Sequence, residues 1–177
     1  VLWLDRTVQR MVEQRLLDGI AKYGAKEGSV VVMDPKTGGI LAMAATPSYD
    51  PGTFSEFPKE VYQNPLVAGS YEPGSTFKVL VMAMGVDRNV VTPMMIAQES
   101  GPVRADEYLI RTWDDKYRGE ISMTDVLVHS SNVGMVFVAK KLGKEGMLKM
   151  IHGFGFGELT GIDLQEEASA TVRKDDE

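Results

Sequence analysis

"YEPGSTFKVLVMAM", residues 71–84, puts a lysine in the first turn of a helix that has no polar face. Pro73-Gly74 closes the segment before it, and Phe77, Val79, Leu80, Val81, Met82, Ala83 and Met84 supply an almost unbroken apolar run. A helix that is apolar all round belongs in the middle of a domain. Lys78 has no acidic residue three or four positions away to pair with it. An ammonium in apolar surroundings without a partner gives up its proton more easily, and the positive end of the helix dipole pushes the same way. A neutral lysine is a usable general base.

Ser75 stands three residues before Lys78, which on a helix puts both side chains on one face, within reach of each other. A serine hydroxyl is a poor nucleophile until a base takes its proton. Free backbone N–H groups at a helix N-terminus are also placed to hold a developing oxyanion. One turn thus offers a nucleophile, a base and part of an oxyanion hole. The bland alternative is a serine N-cap beside a lysine that snorkels to water, and a bare Ser-x-x-Lys arises readily by chance.

A second stretch, Ser130-Ser131-Asn132, lies between two helical segments and presents hydroxyls and a carboxamide. Ser130 can relay a proton between Lys78 and a leaving amine, and Asn132 can hold a substrate amide and orient Lys78. Against this, Asn132 is also a good cap for a helix starting at Val133.

Outward from these two sites the chain alternates simple elements. Asp5 is placed to cap a helix with Val8, Met11, Val12, Leu16 and Ile20 at helical spacing, closed by Gly19 and Gly24. Residues 29–33 and 40–44 read as paired strands around Asp34-Pro35-Lys36-Thr37-Gly38-Gly39, a turn by its chemistry. Residues 46–74 carry five of the eight prolines and read as a long connection with one short helix near Glu60. Beyond the apolar helix, short strands are expected around Val103 and at 108–110. Ser122-Met123-Thr124-Asp125 resembles a capping box, a helix from Val133 to Leu142 ends at Gly143, and another spans about 145–151.

Composition narrows the classes. The chain has 177 residues, enough for one domain with a real core. A net charge of −6 argues against a nucleic-acid partner. With no cysteine there is no thiolate chemistry or disulfide, and two histidines without metal-ligand spacing make a metal site, or any cofactor held by one, unexpected. No apolar run approaches a membrane span.

"YEPGSTFKV" (71–79) followed by "SSNVGM" (130–135) resembles the transpeptidase domain of class B penicillin-binding proteins. The likeness runs along nearly the whole chain: "LDRTVQRMVEQRL" is similar to the helix that opens that domain, "VVVMDPKTGGILAMAATPSYDP" to its first hairpin, and "FGFGELTGIDL" to the stretch after the second box. The resemblance implies an α+β fold, an antiparallel sheet flanked by helices. It implies that residues 1–177 are the N-terminal part of that domain, with helix and hairpin at 1–45, a loop at 46–74, an active-site helix and helical subdomain at 75–152, and a tail at 153–177. The C-terminal sheet strands would lie outside the chain.

The resemblance further implies a serine peptidoglycan D,D-transpeptidase, with Ser75, Lys78 and Ser130 catalytic and Asn132 substrate-binding. Its substrates would be stem peptides ending in D-Ala-D-Ala, its inhibitors β-lactams, and its partners other cell-wall synthesis or division proteins. It would work on the extracytoplasmic face of the bacterial cytoplasmic membrane, anchored by a segment outside this chain. The family's third box, Lys-(Thr/Ser)-Gly, sits on a strand downstream of the second; nothing after Asn132 spells it, and Lys36-Thr37-Gly38 matches a turn in the first hairpin instead. The fragment itself is therefore expected to be inactive or impaired. Two alternatives stand beside this reading. A class D β-lactamase or penicillin sensor also carries Ser-Thr-Phe-Lys, but its second box usually ends in a hydrophobic residue where this chain has Asn132. A non-catalytic cell-wall assembly module would not need both boxes intact.

Overall fold

A computed structural model describes residues 3–168 and Val172. The chain forms two compact units, one running to Tyr71 and resuming at Leu159, the other spanning Glu72–Glu158.

In the first unit, helix α1 (Arg6–Tyr23) starts where the Asp5 carboxylate accepts the Thr7 and Val8 N–H groups, both at 2.9 Å. It passes through Gly19 and ends only at Gly24, whose φ of 62° allows the left-handed cap. Strands β1 (Gly28–Met33) and β2 (Ile40–Thr46) pair antiparallel, and α1 covers one face through Val12, Ala42 and Ala44 with Val8, Leu16, Val30 and Val32 around them. The Gln9 amide exchanges two hydrogen bonds with the backbone of Met43, at 2.8 and 2.9 Å, and so blocks that edge of the sheet.

Between the strands, Asp34 organises the turn. Its carboxylate accepts the Lys36 N–H at 3.0 Å and the Thr37 hydroxyl at 2.8 Å, and Gly38 takes φ 72°. The Lys-Thr-Gly of residues 36–38 is a hairpin tip. The connection that follows is more ordered than proline spacing suggests. It holds 3₁₀ turns at Pro51–Glu56 and Lys59–Val61 and a short helix α2 (Pro65–Ala68). Tyr62 packs edge-on against Tyr49 and Phe54, and its hydroxyl donates to the carbonyls of Phe54 and Phe57, so an aromatic cluster on the surface ties the loop together.

The second unit is built around helix α3 (Phe77–Asp87), with β3 (Ile96–Glu99), β4 (Val103–Ala105), β5 (Tyr108–Ile110), β6 (Gly119–Ser122), α4 (Met123–Val128) and α5 (Asn132–Gly153) following. The two short strands expected around Val103 and at 108–110 are β4 and β5, which pair antiparallel, and β3 pairs antiparallel with β6, a pair the sequence had not announced. Ser122 caps α4 and hydrogen-bonds Asp125 in both directions. In α5, Gly143 at φ 67° breaks the helix where its sequence position predicted an end.

Val81, Met82, Val91, Ala97, Ile121, Met123, Val126, Met135, Val138 and Met150 make up the core. Helix α3 is not enclosed all round as its apolar sequence led us to expect. Its Val81–Met82–Gly85 side packs on α5, whereas Val79, Ala83 and Val86, at helical spacing, remain exposed. Among the described residues, no helix is long and apolar enough to cross a membrane.

Candidate active site

The second unit brings Ser75, Lys78, Ser130 and Asn132 together. Gly74, at φ 57°, turns the chain into a single 3₁₀ turn, Gly74–Thr76, that runs directly into α3. Ser75 sits exposed on this turn, and the Thr76 hydroxyl ties the turn down by donating to the Pro73 carbonyl at 2.6 Å. Lys78, half-buried, follows in the first turn of α3.

Across from it, α4 ends at Val128 and α5 begins at Asn132, with Ser130 at φ 54° between them. This left-handed backbone is uncommon for a residue with a side chain. Lys78 Nζ donates to the Ser130 carbonyl at 2.6 Å, the Ser130 hydroxyl at 2.9 Å and Asn132 Oδ1 at 2.6 Å. Ser130 Oγ in turn lies 3.0 Å from Ser75 Oγ. Among the described residues Lys78 makes no direct hydrogen bond to Ser75; the two are linked through Ser130.

Electrostatics and geometry agree at Lys78. Desolvation pushes its pKa below the ordinary lysine value. Among the described residues the hydrogen-bond partners of the amine are neutral acceptors, which bring no full negative charge to oppose that push.

Asn132 is fixed at both ends of its amide. Its oxygen faces Lys78 and its Nδ2 donates to the Arg111 carbonyl at 2.8 Å, which settles the orientation of the group. It is free to do so because Ser131, not Asn132, caps α5, accepting the Gly134 N–H at 2.8 Å. The Arg111 carbonyl and Ser131 were not singled out by sequence reasoning, and a backbone acceptor leaves no mark in a sequence. Glu99, buried beneath Ser131, was missed too, although the alternation of Ile96-Ala97-Gln98-Glu99 points an acid at the same face as a buried alanine. Among the described residues no group of histidine and acidic side chains is arranged to hold a metal ion.

The family model for the penicillin binding protein transpeptidase domain matches residues 28–176. Stage V sporulation protein D of Bacillus subtilis is 36% identical over 173 residues, which cover 97% of this chain and 27% of that protein. Peptidoglycan D,D-transpeptidase FtsI of Escherichia coli K12 is 34% identical over 168 residues, 95% of this chain and 28% of its own length. The chain thus spans little more than a quarter of these relatives. A solved peptidoglycan glycosyltransferase structure from Burkholderia ambifaria superposes with a TM-score of 0.84 at 25% identity, covering 98% of this chain and 51% of that one. With an α+β architecture shared with solved relatives and a family match over most of its length, the chain belongs to the penicillin-binding protein transpeptidase domain family.

Proposed function

We propose that this chain is the N-terminal part of a peptidoglycan D,D-transpeptidase domain and carries its acylation machinery. The hydrogen-bonded series Ser75–Ser130–Lys78–Asn132 supports this reading more than any other feature. Ser75 attacks the carbonyl of the D-Ala-D-Ala bond of a stem peptide. Its proton passes through the Ser130 hydroxyl to the neutral amine of Lys78. Ser130 then returns a proton to the nitrogen of the departing D-alanine, leaving an acyl-enzyme on Ser75. An amine from a neighbouring stem peptide attacks that ester, gives its proton back along the same route, and forms the cross-link as Ser75 is released. Asn132 binds the substrate amide while its oxygen keeps Lys78 in place. A β-lactam enters at the first step and stays on Ser75.

The relatives named as peptidoglycan D,D-transpeptidases support a role for this chemistry in cell-wall synthesis, and we extend it to the extracytoplasmic face of the membrane, with an anchor outside this chain. Intact-mass analysis of the complete protein after exposure to a penicillin tests the reading. One adduct is expected, on Ser75, and none in Ser75→Ala; an adduct elsewhere with Ser75 unmodified overturns it.

A further inference from the structure

Glu99 ends β3 with its side chain wholly buried, at 0% exposure. A carboxylate in such a place is costly unless it is paired and hydrogen-bonded, and this one is both. One oxygen accepts the hydroxyl of Ser131, itself 1% exposed. The other accepts the Arg118 backbone N–H at 3.0 Å, with the Arg118 guanidinium 3.8 Å away and held in turn by Asp114 at 3.1 Å. Among the described residues Glu99 bonds neither Ser75 nor Lys78, so the proposed chemistry does not use it directly.

What Glu99 grips is the residue between Ser130 and Asn132. Ser130 is in the left-handed region, which a side chain keeps only when its surroundings enforce it. On one side the Lys78 amine holds its carbonyl. On the other, Ser131 is fixed at three points: its N–H on the Val126 carbonyl at 2.9 Å, its oxygen accepting Gly134 N–H, and its hydroxyl proton on Glu99. A hydroxyl has one proton, and the carboxylate decides where it points, which leaves the lone pairs turned to the helix N-terminus.

We infer that Glu99 is a positioning residue for acylation: by anchoring Ser131 it holds the Ser130 hydroxyl and the Asn132 carboxamide around Lys78. This rests on the reading of Ser75, Lys78, Ser130 and Asn132 as the reacting site. Acylation of the complete protein by a fluorescent penicillin, followed across penicillin concentrations, separates the pre-covalent dissociation constant from the acylation rate constant.

Glu99→Gln, of the same size but uncharged and with only one acceptor oxygen, is expected to slow acylation about ten- to a hundredfold, since small misplacements of reacting groups cost that much. The dissociation constant should stay within about twofold, a split that marks an interaction felt in the chemical step. Ser131→Ala cuts the same link from its other end and should slow acylation likewise. The two changes together should cost less than the product of their separate effects, because they share the Ser131–Glu99 hydrogen bond.

A purely structural Glu99 would lower the melting temperature and leave the rate constant of the folded fraction, counted by end-point labelling, unchanged. A wild-type rate constant in either variant, or effects that multiply in the double variant, overturns the inference. Should Glu99→Gln fail to fold, Ser131→Ala decides alone by the same split. The Ser75→Ala control keeps the two claims apart. An adduct surviving in it overturns the site itself, whereas its absence beside a full-rate Glu99→Gln overturns only the role of Glu99.

Discussion

Three acceptors converge on the Lys78 amine, and all three of its N–H groups are used when it is charged. Losing the proton opens one of those contacts as a lone pair, and the Ser130 hydroxyl is the neighbour that can then donate into it. Burial lowers the pKa, so this occurs at a lower pH than for a lysine in water. The sign for catalysis follows: acylation rises with pH through the lowered Lys78 pKa and falls below it, where the amine is protonated. For stability the unfolded chain binds that proton more tightly, so the contribution of Lys78 to stability weakens as pH drops from the unfolded value through the folded one. Lys78→Arg keeps the charge but does not deprotonate near neutral pH. It should slow penicillin acylation by about 10²- to 10⁴-fold, the usual worth of a general base, and flatten the pH dependence. A Lys78→Arg protein that acylates with the wild-type profile would show that another group takes the proton from Ser75.

Among the elements, α5 is placed by two glycines in close contacts. A Cβ on Gly134 would stand 2.4 Å from a methyl carbon of Val126, so α4 and α5 approach as closely as they do only because that side chain is missing. Gly85 lets α3 meet α5 in the same way, with Val91 and Val138 2.9 and 3.1 Å from its would-be Cβ. Gly134→Ala should destabilise the protein by about 1–3 kcal/mol, as overpacking does, and displace the Ser130–Asn132 segment next to it. Gly19→Ala is the opposite case: it lies within α1 with nothing within 4 Å of the added carbon, and should stabilise by about 0.4–1 kcal/mol. Denaturant unfolding of the two variants checks both signs.

These contacts also mark where the sequence stops being readable. Helix α1, the β1–β2 hairpin and the break at Gly143 were legible because a cap, a turn and a glycine each act within a few residues. The pair β3–β6 was not, since each strand is four residues long and its partner lies more than fifteen positions away. The grouping of Ser75, Lys78, Ser130 and Asn132 was anticipated from two short boxes, whereas Glu99 reaches Ser131 across 32 residues and the Arg111 carbonyl reaches Asn132 across 21, contacts that leave no local pattern.

For the whole molecule, apolar surface and the missing box bear on the same question. In the first unit Val31 and Met33 face away from α1 and are exposed, and in the second Val79, Ala83 and Val86 are. Apolar positions repeated on one face of a sheet and on one face of a helix are the kind that other chain segments cover. After Asn132 no Lys-(Thr/Ser)-Gly appears, and the family resemblance implies that this box forms a wall of the cleft and contributes a second oxyanion donor. The 177-residue chain by itself should therefore still direct penicillin to Ser75, because the hydrogen-bonded series lies inside it, but slowly. One lost oxyanion donor costs about 10²- to 10³-fold, so a deficit of at least about a hundredfold is expected relative to the complete protein. A time course of adduct formation by mass spectrometry on the two proteins side by side measures it. Equal rates would mean that residues 72–158 hold a complete acylation site and that the oxyanion is stabilised by groups already present in this chain.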